Sequence, residues 1–314
     1  MLSKHCWIYK IVKSNNMFLF LMKKSTIITL LAIFIFPAYL IASTPTIHAQ
    51  QTTGLSAMTL VSFGDNSSST GANLQSIENK TVTYFGGNTT GYLVYPNQNQ
   101  SSEKAKLPAV ILIHENKGLN DYIKESANLL AKNGYVVLAV DLFNGEVVTN
   151  NSERSGELTG KIRENPNIAI ENMKGAVSYL RSLDNVDPSK IASLGWCFGG
   201  QQSLQLAINS KDDPIAATII YYGRLTNDSQ AISNITAPVL GIFGGKDQSI
   251  SVDSVKQFQK ALNDTGVPNE IYVYPNVGHA FANPSNDNYA PTETADAWKK
   301  TLDFLAKYLQ SKSE

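Results

Sequence analysis

Short apolar runs alternate with segments of helical periodicity over most of the chain. Alternating or continuous hydrophobic residues predict eight strands, at residues 81–85, 92–95, 109–113, 135–140, 191–194, 216–222, 239–243 and 270–274. Apolar residues at helical spacing predict five helices, at residues 122–132, 168–183, 199–209, 252–263 and 292–309. The first two strands flank Gly86 and Gly87, which predicts a hairpin. This alternation is typical of the α/β class, with a mostly parallel eight-stranded sheet and helices on both faces.

The N-terminal segment departs from this pattern. Lys23 and Lys24 precede an apolar stretch at residues 25–43, and a polar run at residues 44–50 follows it. A charged, then apolar, then polar order is typical of a secretory signal. The apolar stretch is also close to the shortest length that spans a membrane, so an uncleaved anchor is the alternative.

Three regions are therefore predicted. Residues 1–49 form a signal peptide or an N-terminal membrane anchor, and residues 50–76 form a flexible tether rich in Ser, Thr and Asn. Residues 77–314 form the folded domain. We expect an extracytoplasmic protein, either secreted or held at the membrane by its N-terminal segment alone.

Composition excludes several classes of protein. A chain of 314 residues with 43% hydrophobic and 17% charged residues is long and apolar enough for a globular core. Its 26 basic and 26 acidic residues balance, and no basic stripe is present, so a nucleic-acid partner is not expected. Five of the basic residues and none of the acidic ones precede residue 51, which leaves the folded domain mildly acidic.

Cysteine and histidine usage limits the possible chemistry further. Of two cysteines only Cys197 lies in the folded domain, and of four histidines only His114 and His279 do. A disulfide within the domain is therefore excluded, and a zinc site of the usual Cys/His kind lacks ligands. No metal and no cofactor is expected.

The motif with the clearest chemistry surrounds Cys197. A predicted strand leads into a predicted helix through Gly195-x-Cys197-x-Gly199, the cysteine form of a nucleophile elbow. The turn places the sulfur at the first turn of a helix, where free N–H groups and the helix dipole favour a thiolate. A buried structural cysteine is the alternative. Glycines two residues before and two residues after Cys197 favour its interpretation as a nucleophile.

A thiol nucleophile needs a base and a carboxylate that orients it, in the chain order nucleophile, acid, histidine. His279 is the one histidine after Cys197 and follows the last predicted strand. Asp247 follows the preceding strand and is the predicted acid. Asp253 is a weaker candidate, because it lies in the first turn of a predicted helix, where acidic residues serve as caps.

The loop after the strand at residues 109–113 should contribute to an oxyanion hole. It reads His114-Glu115-Asn116-Lys117-Gly118-Leu119. The second donor would be the backbone N–H of Phe198, directly after the nucleophile. His114 is predicted to shape this loop rather than to act as a second base.

Together these motifs resemble those of the dienelactone hydrolase family, over residues 77 to 309. The matching stretches are His114-Glu115-Asn116-x-Gly118-Leu119, Val140-Asp141-Leu142-Phe143, Gly195-x-Cys197-Phe198-Gly199-Gly200, Tyr221-Tyr222-Gly223, Gly244-x-x-Asp247 and Gly278-His279-x-Phe281. The resemblance implies an α/β-hydrolase fold and cleavage of a small-molecule ester or lactone through a thioester. It implies a triad of Cys197, Asp247 and His279.

The resemblance also implies roles for residues around the triad. Asn116 and Phe198 would be the oxyanion donors, and Glu115 would lie close enough to the thiol to influence its ionisation. Further residues that would contact the substrate or tune the thiol are Tyr221, Tyr222 and Asn283.

One departure from the family concerns substrate charge. Family members that cleave dienelactones hold the substrate carboxylate with arginines in two segments, which read Asn144-Gly145-Glu146 and Ala282-Asn283-Pro284 here. We therefore expect a neutral ester or lactone to be preferred over an anionic one. Arginines elsewhere that could replace the missing pair are Arg154, Arg163 and Arg224.

Two other functions stay open beside the hydrolase. A non-catalytic extracytoplasmic binding module could keep the scaffold, but it would be expected to lack part of the triad. A thiol redox protein would be expected to carry a second, resolving cysteine near Cys197. The sequence does not indicate an oligomeric state.

Overall fold

Eight strands form one sheet in the computed structural model, which describes residues 76–87, 89–97 and 105–310. Their order across the sheet is β1-β2-β4-β3-β5-β6-β7-β8. The hairpin of β1 and β2 is antiparallel, β2 is antiparallel to β4, and all pairs from β4 to β8 are parallel. The strands are β1 (Ile77–Phe85), β2 (Thr89–Pro96), β3 (Leu107–Ile113), β4 (Val136–Val140), β5 (Val186–Trp196), β6 (Ala217–Tyr221), β7 (Val239–Gly244) and β8 (Asn269–Tyr274).

The helices are α1 (Asp121–Lys132), α2 (Ser152–Glu164), α3 (Asn167–Arg181), α4 (Phe198–Ile208), α5 (Ser229–Ile232), α6 (Val252–Asp264) and α7 (Pro291–Leu305), and a π-helical turn at Ala306–Gln310 continues the last one. The five predicted helices are confirmed to within a few residues. Helices α2 and α5 were missed. The buried face of α2 contains Ser155 and Thr159 as well as Leu158 and Ile162, so its apolar period is hidden in the sequence.

Alternation along the central strands places a hydrophobic layer on each face of the sheet. On β3, Val110 and Leu112 pack in one core with buried residues of α1 and α7. Ile111 and Ile113 point to the opposite core, which contains the buried face of α3. The central strands are thus buried on both faces, as parallel strands in α/β proteins are. The predicted fold class is confirmed.

The predicted signal or anchor lies outside the described residues, and so does the predicted tether except for residue 76. No helix among the residues that the structure describes has the length and apolar character needed to cross a membrane.

The turn between β5 and α4 is strained and tightly packed. Cys197 has φ 55° and ψ −114°, a backbone conformation that residues with a side chain rarely adopt. A Cβ atom on Gly195 would lie 2.1 Å from the carbonyl oxygen of Gly199. A Cβ atom on Gly199 would lie 2.2 Å from the carbonyl oxygen of Ile113 at the end of β3. Both glycines of the predicted elbow are therefore required by the close approach of backbone to backbone.

We expect Gly199→Ala to destabilise the protein by about 1–3 kcal/mol, because the methyl group must push the start of α4 away from β3. Gly156→Ala is the control. Gly156 lies within α2 and has open space where the methyl group would go, so this change should stabilise the helix by up to about 1 kcal/mol. Urea unfolding monitored by circular dichroism measures both free energies, and equal effects would contradict the packing argument.

Candidate active site

Loops at the carboxyl edge of the parallel sheet hold the predicted site residues. Cys197 follows β5, Asp247 follows β7, and His279 follows β8. The loop that begins at His114 follows β3. Because these parallel strands end at the same edge, residues far apart in sequence meet there.

The structure brings the three predicted triad residues into one chain of contacts. Nε2 of His279 lies 3.1 Å from Sγ of Cys197, and Nδ1 of His279 lies 2.7 Å from Oδ2 of Asp247. The ring of Tyr222 contacts the imidazole edge to face, with the ring centroids 5.2 Å apart. This arrangement allows His279 to exchange a proton with the thiol while its other nitrogen is held by a carboxylate.

Backbone N–H groups fix the carboxylate of Asp247. Its Oδ1 accepts hydrogen bonds from the N–H groups of Ser249 at 2.7 Å and Ile250 at 2.9 Å, which leaves Oδ2 for His279. The Asp247 side chain is fully buried. Asp253, the weaker candidate for the acid, is exposed in the first turn of α6 and is not part of this network.

The contacts within the triad shift two pKa values in opposite directions. Burial lowers the pKa of His279, but the hydrogen bonds to Asp247 and Cys197 and the negative charge of both partners outweigh it and raise that pKa to about 10. Burial raises the pKa of Asp247, but the hydrogen bond and charge of His279 and the two backbone N–H donors hold it below its usual value. The imidazolium form of His279 is therefore favoured at neutral pH.

His114 fixes the loop that carries the predicted oxyanion donor. It is fully buried, and its Nε2 accepts a hydrogen bond from the N–H of Leu142 at 3.1 Å. Nδ1 therefore carries the proton and donates to the carbonyl oxygen of Glu115, 2.6 Å away. Burial lowers the pKa of His114, which keeps the ring neutral. His114 shapes the loop, as the sequence predicts, and both of its nitrogens are occupied.

The two predicted oxyanion donors lie at the same cavity. Phe198 is the first residue of α4, so its N–H is one of the first-turn groups that have no acceptor within the helix. Asn116 is exposed in the loop after β3. Both residues line the cavity that contains Cys197. Their role as oxyanion donors stays a prediction.

Glu115 is buried beside the triad with neutral partners. The Asn283 side-chain amide donates to Oε2, and the hydroxyl group of Tyr222 lies 3.5 Å from Oε1. Burial raises the pKa of Glu115, and the Asn283 hydrogen bond and the positive charges of His279 and Lys117 offset this only in part. All three side chains, Glu115, Tyr222 and Asn283, line the Cys197 cavity.

The Cys197 cavity has a volume of about 470 Å³ and is rich in positive charge. Lys117, Arg163 and Arg224 line it, from the loop after β3, from α2 and from the segment after β6. None of the three forms an ion pair within the described part of the chain. Arg154, by contrast, is bound by Glu146 at 2.6 Å and by Glu157 at 2.6 Å.

The neutral-substrate prediction rests on the lack of arginine in the two segments where the family holds the substrate carboxylate, and it left Arg154, Arg163 and Arg224 as possible replacements. Of these three, Arg163 and Arg224 line the Cys197 cavity and Arg154 does not. The sequence named Arg163 and Arg224 but could not place them. Arg163 lies on α2, which the sequence did not predict because its buried face mixes hydroxyl and apolar side chains. Arg224 lies three residues after the end of β6 and has no motif around it.

Tyr221, which is predicted to contact the substrate or tune the thiol, does not line the Cys197 cavity. Its hydroxyl group bonds to Thr301 at 2.7 Å and to the carbonyl oxygen of Ala297 at 3.0 Å. Tyr221 is the last residue of β6 and bonds to α7 through its hydroxyl group, whereas Tyr222 lies beyond the strand with φ 35°, and its ring contacts His279.

No metal site is evident in the described residues, where no group of three or more His, Cys, Asp or Glu side chains is placed to hold an ion.

Comparison with known proteins assigns a family to this arrangement. The sequence model described as "Dienelactone hydrolase family" matches residues 90–309. A protein of Methylorubrum extorquens with the provisional name carboxymethylenebutenolidase is 28% identical over 220 residues, 66% of this chain and 74% of that protein. An Escherichia coli K12 protein with the same provisional name is 28% identical over 238 residues, 73% of this chain and 86% of that protein.

Solved structures share the fold at lower identity. A crystal structure of a provisional dienelactone hydrolase from Klebsiella pneumoniae has a TM-score of 0.67 at 24% identity, and the match covers 74% of this chain and 100% of that one. A dienelactone hydrolase-like promiscuous phosphotriesterase from metagenomic libraries has a TM-score of 0.66 at 24% identity, and the match covers 74% of this chain and 98% of that one.

The raised pKa of His279 predicts the pH dependence of any hydrolysis in which its imidazolium donates a proton. Below about pH 10 the imidazolium is retained, so kcat/KM should fall on the alkaline side only near that pH. Asp247→Asn removes the carboxylate that raises this pKa. The alkaline limb should then move to lower pH, and the rate at neutral pH should fall by at least about a hundredfold.

Asp253→Asn is the control for this experiment, because Asp253 is an exposed carboxylate on a neighbouring helix. Its pH–rate profile should match that of the unchanged protein. An alkaline limb that stays in place in Asp247→Asn would contradict the assignment of the acid.

Proposed function

Because the chain belongs to the dienelactone hydrolase family, and is therefore a hydrolase of the α/β-hydrolase fold, we propose that it cleaves small-molecule esters or lactones through the thiol of Cys197. The observation that carries this proposal is the chain of contacts from Cys197 to His279 to Asp247, at 3.1 and 2.7 Å. A thioester acyl-enzyme is the intermediate.

In the first half-reaction the Cys197 thiolate attacks the carbonyl carbon of the substrate. Negative charge develops on the carbonyl oxygen, opposite the N–H groups of Asn116 and Phe198. The tetrahedral adduct collapses when the imidazolium of His279 gives its proton to the leaving oxygen, which departs as an alcohol.

In the second half-reaction a water molecule attacks the thioester. His279 takes a proton from this water, and Asp247 holds the imidazole and stabilises the imidazolium that forms. Cys197 leaves as a thiolate, and the carboxylic acid is released. A thiolate is a better leaving group than an amine, so esters and lactones suit this site better than amides.

Two features weigh against the alternative functions. A binding module without catalysis would not need to bury a carboxylate, fix it with two N–H groups and aim it at a histidine. A thiol redox function needs a resolving thiol, and Cys197 is the one cysteine among the described residues.

The charge of the cavity bears on the substrate. Lys117, Arg163 and Arg224 line the cavity in which the acyl group would attach to Cys197, and burial raises the pKa of Glu115, which limits the opposing negative charge. We therefore propose that the acyl part of the substrate carries a negative charge.

Loss of the thiol tests the nucleophile. Cys197→Ala should abolish ester hydrolysis, because no other group in the site can form the acyl-enzyme. Cys197→Ser should retain weak activity, since a hydroxyl depends more fully on His279 for activation. Mass spectrometry of the iodoacetamide-treated protein distinguishes labelling at Cys197 from labelling at Cys6. Undiminished turnover by Cys197→Ala would refute the mechanism.

A pair of matched substrates tests the charge of the acyl part. The 4-nitrophenyl ester of glutaric acid should be hydrolysed with about tenfold higher kcat/KM than the same ester with its free acid methylated. Arg163→Gln combined with Arg224→Gln should reduce this ratio towards one, and added salt should act in the same direction.

Arg154→Gln is the control for the charge test, because Arg154 is held by Glu146 and Glu157 and does not line the cavity. It should leave the ratio unchanged. A preference for the methylated substrate in the unchanged protein would contradict an anionic acyl part and would leave the nucleophile assignment intact.

A further inference from the structure

A second cavity adjoins the Cys197 cavity. It has a volume of about 590 Å³, and Ser249 and His279 line both cavities. These two residues therefore form a shared wall. The second cavity is large enough for a substituent the size of a small ligand.

The walls of the second cavity are polar and carry balanced charge. Gln248 and Asn276 contribute carboxamides, Tyr289 contributes a phenol ring, and Lys246 and Asp287 contribute one charge of each sign. The Cys197 cavity also contains carboxamides but differs in its charge balance, because three cations and one buried carboxyl group line it. The two cavities thus suit chemically different parts of one molecule.

Five polar side chains of the second cavity have no hydrogen-bond or ion-pair partner among the described residues, whereas those of Asn288 and His279 do. Among the described residues, no hydrogen bond or ion pair involves the side chains of Lys246, Gln248, Asn276, Asp287 or Tyr289. The Tyr289 side chain is 38% exposed, and no other aromatic ring of the described chain contacts it. These five side chains are therefore available to a ligand.

Residues 288–290, which form the wall that carries Tyr289, are held in place by three hydrogen bonds to backbone carbonyl groups. The Asn288 side chain donates to the carbonyl oxygen of His279 at 2.9 Å, and the N–H of Ala290 donates to the carbonyl oxygen of Phe281 at 2.9 Å. The N–H of Tyr289 donates to the carbonyl oxygen of Asn286 at 3.0 Å. The wall is thus tied to the segment that carries the proposed base.

The proposed reaction assigns the two cavities to the two halves of an ester. The acyl group stays on Cys197, beside the oxyanion donors and cations of the first cavity. The leaving oxygen must come within reach of Nε2 of His279 to take its proton. A group attached to that oxygen is directed past His279, which is a wall of the second cavity.

We propose that the second cavity binds the alcohol part of the substrate, and that this alcohol is polyhydroxylated, of the size of a glyceryl to a hexosyl group. The inference rests on the proposed esterase function. Carboxamides both donate and accept hydrogen bonds, as the hydroxyl groups of a polyol do. An exposed phenol ring offers a flat surface for the C–H groups of such a molecule.

The polar lining disfavours the other common kinds of alcohol. An alkyl chain would leave these carboxamides and charged groups desolvated without partners. An anionic alcohol would meet no excess of positive charge, because Asp287 balances Lys246. The cavity also favours an open ester over a simple lactone, since a small lactone has no separate alcohol to fill it.

Two esters of one acid test the inference. The propyl and 2,3-dihydroxypropyl esters share a carbon skeleton and differ by two hydroxyl groups. The unchanged protein should hydrolyse the dihydroxypropyl ester with about tenfold higher kcat/KM, because each hydrogen bond to a hydroxyl adds modestly to binding. Equal kcat/KM for the two esters would overturn the inference.

Single substitutions locate the effect. Tyr289→Ala and Asn276→Ala should each lower kcat/KM for the dihydroxypropyl ester by about threefold or more while leaving the propyl ester within about twofold. Asn167→Ala is the matched control, at an exposed asparagine in the first turn of α3 that lines neither cavity. Parallel losses on both esters would indicate a structural role and would contradict the inference.

Acyl transfer provides a second measurement. When a glycerol hydroxyl attacks the thioester, its oxygen bonds to the acyl carbon, His279 takes its proton, and the Cys197 thiolate leaves. Glycerol should therefore intercept the acyl-enzyme more often than 1-propanol at the same concentration, and Tyr289→Ala should remove this advantage. Equal interception of the acyl-enzyme by both alcohols would count against the polyol site.

A binding experiment separates failure of the inference from failure of the proposed function. Methyl glucoside should bind the Cys197→Ala protein, which cannot turn over, and Tyr289→Ala in that background should weaken binding as measured by NMR titration. If the unchanged protein hydrolysed neither ester while the Cys197→Ala protein still bound methyl glucoside, the result would count against the thiol mechanism alone. If the unchanged protein hydrolysed both esters at equal rates and methyl glucoside did not bind, the polyol site would be refuted and the esterase proposal would stand.

Discussion

The backbone turn at Cys197 is the constraint on which the site depends. A positive φ at a residue with a side chain is unfavourable, and it persists only where the surrounding structure holds it. Here the N–H of Cys197 is bound to the carbonyl oxygen of Tyr221 on β6, and Gly199 packs against the end of β3. The strands on both sides of β5 therefore fix the sulfur. Because His279 reaches it from a third strand end, the sheet itself sets the distance between proposed nucleophile and base.

Loops at the edge of a sheet lack a continuous ladder of hydrogen bonds, and here buried side chains add to the few backbone bonds that connect them, such as the one from the N–H of Lys246 to the carbonyl oxygen of Val277. Asp247 binds two N–H groups of its own loop, and His114 connects the loop after β3 to Leu142 after β4. Oδ1 of Asp247 and both ring nitrogens of His114 form hydrogen bonds with backbone groups. These bonds satisfy buried polar groups and limit movement of the loops. The same contacts leave one carboxylate oxygen for His279. Rigidity of the loops and orientation of the base therefore have a common origin.

The sequence was most informative where local pattern and backbone geometry coincide. Buried strands with continuous apolar runs were all predicted, and Cys197, Asp247 and His279 follow from the order of strand ends. Prediction failed where the deciding contacts lie between elements. Tyr221 and Tyr222 are adjacent and chemically alike, so only the direction of each side chain reveals which one faces the cavity. Arg163 is on a helix whose buried face includes hydroxyl side chains, so no apolar period indicated that helix.

Asn283 affects the charge of the whole site through Glu115. In the family that the sequence resembles, an arginine is found in this segment, and an arginine here could have paired with Glu115 and neutralised it as an ion pair. An amide instead satisfies one oxygen by a hydrogen bond and supplies no charge, so burial keeps the pKa of Glu115 raised. A carboxyl group with a raised pKa opposes the nearby cations less than an ionised one would. Arg163 and Arg224 form no ion pair among the described residues, so the proposed negative charge of the acyl part would meet cations that have no counter-ion in the cavity wall.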